Sequence, residues 1–227
     1  MNNPTLFALC CLIWGSTWIA ITYQIGHTSE TFAIGLRYLL ASMCLGAYCL
    51  IMRLPLKLPM HIHVKMAAVG VFLYSLNYTL LYMAQAHIIS ALLALMSSCI
   101  IYINVVLRRW WLKEPIRKEV VIGATFGLTG IICLFVPEFS KVSMDAALAI
   151  GLSIAFVSFL CASIGNVISE RILTSGTPVI QMNFYAMGYA MVLLFTTSLL
   201  TNDRIVIPTS SEFYISLLYL AVFGSVF

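Results

Sequence analysis

The chain has 227 residues, of which 62% are hydrophobic and only 9% are charged, with 12 Lys and Arg against 8 Asp and Glu. A typical soluble domain carries about 25% charged residues, so this composition excludes an ordinary water-soluble globule. The apolar content also excludes disorder, and a net charge of +4 provides no basic surface for nucleic acid. The seven cysteines all lie in apolar runs, which argues against a disulfide scaffold. The composition therefore predicts a polytopic membrane protein.

Seven apolar runs are long enough to cross a bilayer as helices, which takes about 20 residues each. An eighth run begins near Glu212 and reaches Phe227 without a polar flank, so we expect the sequence to be cut inside a helix. We predict an all-α transmembrane helical bundle with short connections. Its predicted spans are, in chain order, 5–25, 32–52, 66–87, 89–107, 119–136, 147–169 and 180–201, followed by the incomplete eighth.

The basic residues are distributed unevenly between the two sides of the predicted bundle. Nine of the twelve lie on the side that holds the N-terminus and the even-numbered loops, and only Lys141 and Arg204 lie on the other. Cytoplasmic loops carry an excess of Lys and Arg, so we predict a multi-pass protein of the cytoplasmic (inner) membrane with a cytoplasmic N-terminus. Trp110 and Trp111, beside two arginines, fit an aromatic belt at that interface.

The order of the spans indicates an internal duplication. A shift of 147 residues places span 1 on span 6, span 2 on span 7 and span 3 on span 8. Five spans per repeat is an odd number, which predicts two repeats of inverted topology, as in many secondary transporters. We therefore predict a first repeat at 1–138, an incomplete second repeat at 147–227, and ten spans in a complete chain.

Several short motifs occur in a fixed order along the chain. They are Trp14-Gly15-Ser16 in span 1, Arg37-Tyr38-Leu39-Leu40-Ala41 in span 2, Tyr82-Met83-Ala84 in span 3, Glu114 followed by Gly123, Gly127 and Gly130, Gly151 in span 6, and Leu218-Tyr219-Leu220-Ala221-Val222-Phe223-Gly224-Ser225 in span 8. Together they resemble the EamA-type transporters of the drug/metabolite transporter superfamily, over essentially the whole chain.

This resemblance implies ten helices around a central cavity and alternating access for small metabolites, which are often exported. Two positions depart from the pattern of the family. Ile101 stands where the family often has a proline, so a kink in span 4 is not carried over. Gln85 replaces the usual leucine and adds a polar group near the end of span 3.

Span 3 carries the clearest polar face in the sequence. At 100° per residue, five aromatic and polar side chains fall within one arc of the helix. Leu73, Leu76, Leu80 and Met83 occupy the opposite face and suit lipid. The polar face predicts the lining of a substrate cavity, and the alternative is interhelical hydrogen bonding worth about 0.6 kcal/mol per pair. The five side chains are Tyr74, Asn77, Tyr78, Tyr82 and Gln85.

Four further residues are candidates for substrate binding. Trp14 lies in the middle of span 1 and predicts either a cavity wall or gate, or packing beside Gly15. Ser98 and Tyr102 are one turn apart on span 4 and could face the same cavity, although a serine can also bond to its own helix. Asn166 lies at the edge of the small-residue face of span 6.

Charged residues provide two candidates for a gate or a substrate contact. Arg37 lies inside span 2, where it could extend to the interface, pair with Glu30 or attract an anionic substrate. Glu170, next to Arg171 at the end of span 6, predicts an interfacial pair or a gate. His61 and His63 fall in a basic loop without a nearby carboxylate or cysteine, which indicates solvated surface. We predict no metal site and no cofactor.

Small residues on two helices predict close helix contacts rather than binding. Gly123, Gly127 and Gly130 form one face of span 5, which could pack within the chain or form a homo-oligomer contact. The corresponding face of span 6 is predicted to pack against a neighbouring helix. It consists of Gly151, Ala155, Ser158, Ala162, Gly165 and Ser169.

These observations predict a carrier for small polar metabolites, such as amino acids, with the lipid bilayer as its surroundings. No Asp or Glu lies in the middle of a visible span, which favours facilitated diffusion or exchange over proton coupling. The alternatives are an intramembrane enzyme, for which no catalytic constellation is visible, and a structural or non-functional membrane fragment.

Overall fold

A computed structural model describes residues 3–24, 26–139, 146–201 and 205–226, and within these ranges the chain forms helices and no strand. All eight predicted helical runs are confirmed, with differences at their ends. The helices are α1 (Asn3–Thr22), α2 (Glu30–Ile51), α3 (Met60–Gln85), α4 (90–112), α5 (Lys118–Phe139), α6 (Ala146–Thr174), α7 (Val179–Leu200) and α8 (Ser211–Val226).

Two helices are longer than the apolar pattern indicates. α3 begins at Met60 rather than near residue 66, because Pro59 starts the helix and its carbonyl oxygen accepts hydrogen bonds from the N–H groups of Ile62 and His63. α4 continues past residue 107 to include Arg108–Leu112. Hydropathy fails at both ends because polar residues at a membrane interface continue a helix without adding apolar signal.

Among the residues that the structure describes, five helices have the length and apolar composition needed to cross a membrane. The shorter α8 is apolar as well. The chain is therefore a multi-pass membrane protein. The five are Pro4–Thr22, Glu30–Ile51, Met60–Gln85, Ala146–Thr174 and Val179–Leu200.

The helices form two compact units. The first unit comprises Met1–Ala67 and Thr177–Phe227 and contains α1, α2, α7 and α8 with the start of α3. In this unit α2 packs along α7 and also contacts α8, and α8 contacts α1. The second unit, Ala68–Gly176, contains the rest of α3 with α4, α5 and α6, and α6 packs against both α3 and α4.

Two glycines on α2 allow α7 to approach closely in the first unit. A Cβ atom at Gly35 would lie 2.7 Å from Cε1 of Phe195, and one at Gly46 would lie 2.8 Å from Cε2 of Phe184. The Ser42 hydroxyl, between these glycines, donates to the backbone carbonyl of Phe184 at 3.0 Å. The two glycines thus leave space into which two phenylalanine rings pack. Because the earlier glycine meets the later phenylalanine, α2 and α7 are antiparallel.

Small residues of α6 perform the same role in the second unit, which confirms the predicted packing face. Gly151 abuts His87 and Ile88, and Gly165 abuts Leu73 so closely that a Cβ atom there would lie 2.6 Å from the Leu73 Cβ. Between them, Ala155 and Ser158 are fully buried. The spacing of seven residues between Gly151, Ser158 and Gly165 keeps all three on the side of α6 that meets α3 and the residues directly after it.

The glycine face of α5 is open in the described part of the chain. Cβ atoms placed on Gly123, Gly127 and Gly130 would meet no heavy atom within 4 Å. The prediction that this face packs within the chain is therefore not met among the described residues. The prediction of a homo-oligomer contact at this face stays a prediction.

Candidate functional site

The middle of α3 departs from α-helical geometry. Gly70–Leu76 form a π-helical segment, in which the Asn77 N–H donates to the Phe72 carbonyl five residues earlier. Tyr74 lies within this segment, and Asn77 and Tyr78 follow it directly. π-helical turns inside α-helices occur frequently at functional sites. The polar face predicted for α3 therefore begins at the irregular part of the helix.

Asn77 connects this segment to α6. The Ser158 hydroxyl of α6 lies 2.7 Å from the Asn77 backbone carbonyl oxygen and 2.9 Å from its side-chain Oδ1, and both oxygens accept. The Asn77 Nδ2 donates to the Leu73 carbonyl at 3.4 Å, at the point where the helix returns from i−5 to i−4 bonding. A change of bonding pattern leaves a carbonyl without its usual backbone donor. Asn77 thus stabilises the irregular turn and holds α6 against it.

The remaining residues of the predicted α3 face differ in their exposure. Tyr82 is buried, whereas Tyr74, Tyr78 and Gln85 are half-buried. The angles assumed for the face do not hold through the π-helical segment, because more than 3.6 residues make each turn there. On the opposite face Leu76 and Met83 are exposed as predicted for lipid contact.

Leu73 corrects one assignment on α3. It was predicted to face lipid, but its Cβ and backbone lie against Gly165 of α6. The side of α3 that meets α6 therefore includes both Leu73 and Asn77. The predicted polar face is therefore not uniform, because Asn77, one of its members, belongs to the side of α3 that packs against α6.

α4 is also irregular at a predicted site residue. The helix is interrupted between Ser90–Ser97 and Cys99–Leu107, and the Ser98 N–H donates to Leu95 three residues earlier at 3.1 Å. The interruption occurs without a proline, three residues before Ile101. Ser98 is half-buried at this break.

Tyr102 turns toward α5. Its hydroxyl lies 3.1 Å from the Thr125 hydroxyl of α5. The structure thus gives the two candidates of α4 different surroundings, Ser98 at the helix break and Tyr102 at the α4–α5 contact.

Asn166 and Trp14 lie on separate units. Asn166 is half-buried on α6, next to Gly165, at the level where α6 meets the π-helical segment. Trp14 on α1 is 73% exposed, and Gly15 beside it meets no heavy atom within 4 Å. In the described part of the chain, the interpretation of Trp14 as core packing is therefore wrong.

Arg37 is buried in the first unit, with 4% of its surface exposed. Its Nε donates to the Ser225 hydroxyl and its Nη2 donates to the Gly224 carbonyl, both at 2.8 Å. These bonds attach the guanidinium to the π-helical end of α8, Val222–Val226. The partners of Arg37 shown here are thus an uncharged hydroxyl and a backbone carbonyl, which a search for oppositely charged residues does not find.

Glu170 forms an ion pair with a different arginine from the predicted one. Its Oε1 lies 2.7 Å from Nη2 of Arg108 at the end of α4, whereas its sequence neighbour Arg171 is exposed. Successive residues of a helix point about 100° apart, so a neighbour in sequence is a poor partner in space. The pair joins α4 to α6, and both side chains remain partly exposed.

His63 was predicted to lie on a solvated loop, and this prediction is wrong. Because α3 begins early, His63 lies on a helix, where its Nδ1 is 2.9 Å from the Tyr189 hydroxyl of α7. Its ring also packs edge-on against Tyr185, with the ring centroids 4.5 Å apart. His61 is exposed, as predicted. Within the described ranges, no group of three His, Cys, Asp or Glu side chains could hold a metal ion.

Comparison with known proteins provides independent evidence on the family to which the chain belongs. The model of the EamA-like transporter family matches residues 4–136, more than half of the chain. A protein from Buchnera aphidicola subsp. Schizaphis graminum (strain Sg), named an uncharacterized transporter, is 24% identical over 123 residues, 54% of this chain and 41% of its own. One of the same name from Archaeoglobus fulgidus (strain ATCC 49558 / DSM 4304 / JCM 9628 / NBRC 100126 / VC-16) is 23% identical over 182 residues, 79% of this chain and 61% of its own.

The chain spans less than two thirds of the length of both relatives. It also superposes on a solved crystal structure with a TM-score of 0.77 and 18% identity, over 96% of this chain and 73% of the other. At that identity the likeness shows the fold alone, which agrees with the helical architecture described above. The apolar helices and the family match lead to one conclusion: the chain belongs to the EamA-like transporter family.

Proposed function

We propose that the chain is the substrate-binding part of a secondary transporter that moves small polar metabolites by alternating access. The observation that carries the proposal is the π-helical segment Gly70–Leu76 in the middle of α3, with Tyr74, Asn77 and Tyr78 on or beside it. π-helical turns inside α-helices occur frequently at functional sites, and interrupted helices near the middle of the membrane form the substrate sites of many transporters. The break of α4 at Ser98 supports the same interpretation.

The chemistry of these side chains favours neutral or zwitterionic substrates. Phenol hydroxyls and amides both donate and accept hydrogen bonds, and the aromatic rings of Tyr74, Tyr78 and Tyr82 offer apolar contact. The carboxylates of this unit whose side chains the structure describes belong to the ends of helices and connections rather than to the π-helical segment, and they are Glu114, Glu119 and Glu170. Amino acids and similar metabolites fit these properties. We propose export as the direction and facilitated diffusion or exchange as the mode.

The packing of the helices supports the proposed inverted repeats at 1–138 and 147–227. Under the shift of 147 residues, α1 corresponds to α6, α2 to α7 and α3 to α8. α3 packs against α6 in one unit, and α8 packs against α1 in the other. These two contacts are equivalent, because α8 corresponds to α3 and α1 corresponds to α6. α2 packs against α7, a pair that the exchange maps onto itself. Both α3 and α8 contain π-helical segments.

The proposed location is the inner membrane, with the N-terminus in the cytoplasm. Arg37 and Glu170 are the proposed charged elements of the gates. Each belongs to a contact between two helices, Arg37 to α2–α8 and Glu170 to α4–α6. A gate of this kind opens when the interhelical bonds break and closes when they form again.

Transport by reconstituted protein tests the proposal. The chain is placed in proteoliposomes, and counterflow is measured with a panel of labelled amino acids and metabolites. We expect saturable counterflow of at least one zwitterionic solute. Correctly folded protein that moves no member of the panel, charged or neutral, would refute the proposed substrate class.

Single hydroxyl deletions test the site itself. Tyr78→Phe and Tyr82→Phe each remove one hydrogen-bonding group, which is worth about 0.5–1.5 kcal/mol. We expect KM to rise about 2- to 13-fold. Tyr48→Phe is the matched control, because Tyr48 is exposed on α2. If the kinetics of both α3 variants are unchanged, or if the control changes equally, the proposed substrate site on α3 is incorrect.

A further inference from the structure

The end of α4 forms an open cleft with an unusual combination of side chains. The cleft has a volume of about 590 Å³ and lies entirely within the second unit. Its lining consists of Val106, Arg109, Trp110, Lys113 and Ile116. Two cationic groups thus face the same space as two aliphatic side chains and an indole.

The turn that closes α4 places Lys113 on the cleft. Lys113 adopts a left-handed conformation, φ 58°, and its N–H donates to the Arg108 carbonyl. After this reversal Ile116 lines the same cleft as Val106, Arg109 and Trp110 of α4. The left-handed turn at the end of α4 therefore brings the backbone of Lys113 to the same cleft as Arg109.

The two cations that line the cleft have no carboxylate partner among the residues that the structure describes. Arg108 is paired with Glu170, but in the part of the chain that the structure describes neither Arg109 nor Lys113 has a carboxylate oxygen within 4.0 Å. Glu114 follows Lys113 in sequence and forms no ion pair with it. The cleft therefore attracts an anion, and Arg and Lys both form charge-assisted hydrogen bonds with phosphate oxygens.

The apolar lining identifies the source of that anion. Val106, Trp110 and Ile116 are 62%, 73% and 52% exposed, which is unfavourable in water and natural in contact with acyl chains. Trp110 and Trp111 stack with their centroids 6.4 Å apart, and tryptophan is the residue most typical of the membrane interface. We propose that this cleft binds an anionic phospholipid, with the headgroup phosphate between Arg109 and Lys113 and an acyl chain along Val106 and Ile116.

Quenching of tryptophan fluorescence by brominated lipids tests this site directly. Trp14 and Trp18 are replaced by Phe, so that only Trp110 and Trp111 report, and the chain is reconstituted in phosphatidylcholine vesicles. Brominated phosphatidylglycerol is then compared with brominated phosphatidylcholine. Each Lys or Arg near an anionic headgroup is worth about fivefold in affinity, so two cations predict a preference of about 25-fold for phosphatidylglycerol.

Paired charge removal supplies the matched control. Arg109→Gln combined with Lys113→Gln should reduce the preference to near one. Arg53→Gln combined with Lys57→Gln, which also removes two charges and also includes a residue with positive φ, should leave it unchanged. Raising NaCl to about 0.5 M should weaken the preference in the unaltered protein, because exposed charges are screened.

Three results would overturn the proposal. The first is equal quenching by the two brominated lipids in the unaltered protein, and the second is an equal loss of preference in both charge-removal variants. The third is competition by sodium phosphate that exceeds competition by NaCl at the same ionic strength, which would identify a site for soluble phosphate. Because none of these measurements depends on transport, they are independent of the proposed function.

Discussion

The contact between Gly165 and Leu73 makes Gly165→Ala a sharp test of how α3 and α6 pack. The added Cβ would lie 2.6 Å from the Leu73 Cβ, 2.9 Å from its N and 3.1 Å from its Cα. Two of these atoms belong to the backbone, so no side-chain rotation can relieve the overlap. Overpacking of this kind costs about 1–3 kcal/mol, and the better helix propensity of alanine offsets up to about 1 kcal/mol.

We therefore expect a net loss of about 1–2 kcal/mol, which corresponds to about 2–8 °C in Tm for a protein of this size. Thermal unfolding can be followed in detergent by the reaction of the buried Cys49 and Cys161 with a fluorogenic maleimide. All variants share a background in which the exposed cysteines are replaced by alanine. The exposed cysteines are Cys10, Cys11, Cys44 and Cys133.

Two other glycines calibrate the result. Gly127→Ala adds a methyl group in open space, so its Tm should stay level or rise slightly. Gly46→Ala meets only the edge of the Phe184 ring, which can tilt, so its Tm should fall less than that of Gly165→Ala. If all three variants melt together, or if Gly165→Ala is as stable as the unaltered chain, the close backbone approach of α3 to α6 is incorrect.

Three further predictions test separate parts of the structure. In the same melting assay, Ser158→Ala should lower the free energy of unfolding by about 0.6 kcal/mol, the average for an interhelical hydrogen bond in a membrane protein. Ser153→Ala is the control and should leave the stability unchanged, because Ser153 bonds only within its own helix. Arg37→Lys keeps the charge but lacks the fork that donates from Nε and Nη2 together, so Tm should fall by several degrees in that assay, and an unchanged Tm would contradict the two bonds. Alkaline phosphatase fused after His27 should be active and the same enzyme fused after Arg53 should be inactive in bacterial cells, and the reverse pattern would place the N-terminus outside.

Hydropathy was sufficient to predict that the eight helices exist, because polar segments separate the apolar runs, but it did not predict where α3 begins and α4 ends. The small-residue face of α6 was also predictable, since Gly151, Ser158 and Gly165 recur every seven residues and leave room for a neighbouring helix. Neither prediction required knowledge of which helices meet. Both depend only on local sequence and on helical periodicity.

Contacts between distant segments were not predictable in the same way. Nothing near Glu170 in sequence indicates Arg108 as its partner, and nothing near Arg37 indicates Ser225. The π-helical segment was missed because Gly70–Leu76 has the composition of an ordinary apolar helix. Its cause is tertiary: Gly165 admits the Leu73 backbone, and Asn77 and Ser158 satisfy the polar groups that the irregular turn exposes.

The π-helical segment of α3 also has a consequence for how sequence length can vary in this family. A stretch with i−5 bonding contains one residue more than the α-helix that would join the same two ends. Deleting one residue between 70 and 76 should therefore convert the segment to a regular α-helix while the flanking parts, 60–69 and 77–85, keep their faces. A deletion elsewhere in α3 would rotate everything beyond it by about 100°. In a comparison of chain lengths among relatives, α3 is thus a place where a one-residue gap marks a local change of helix type rather than a misaligned span.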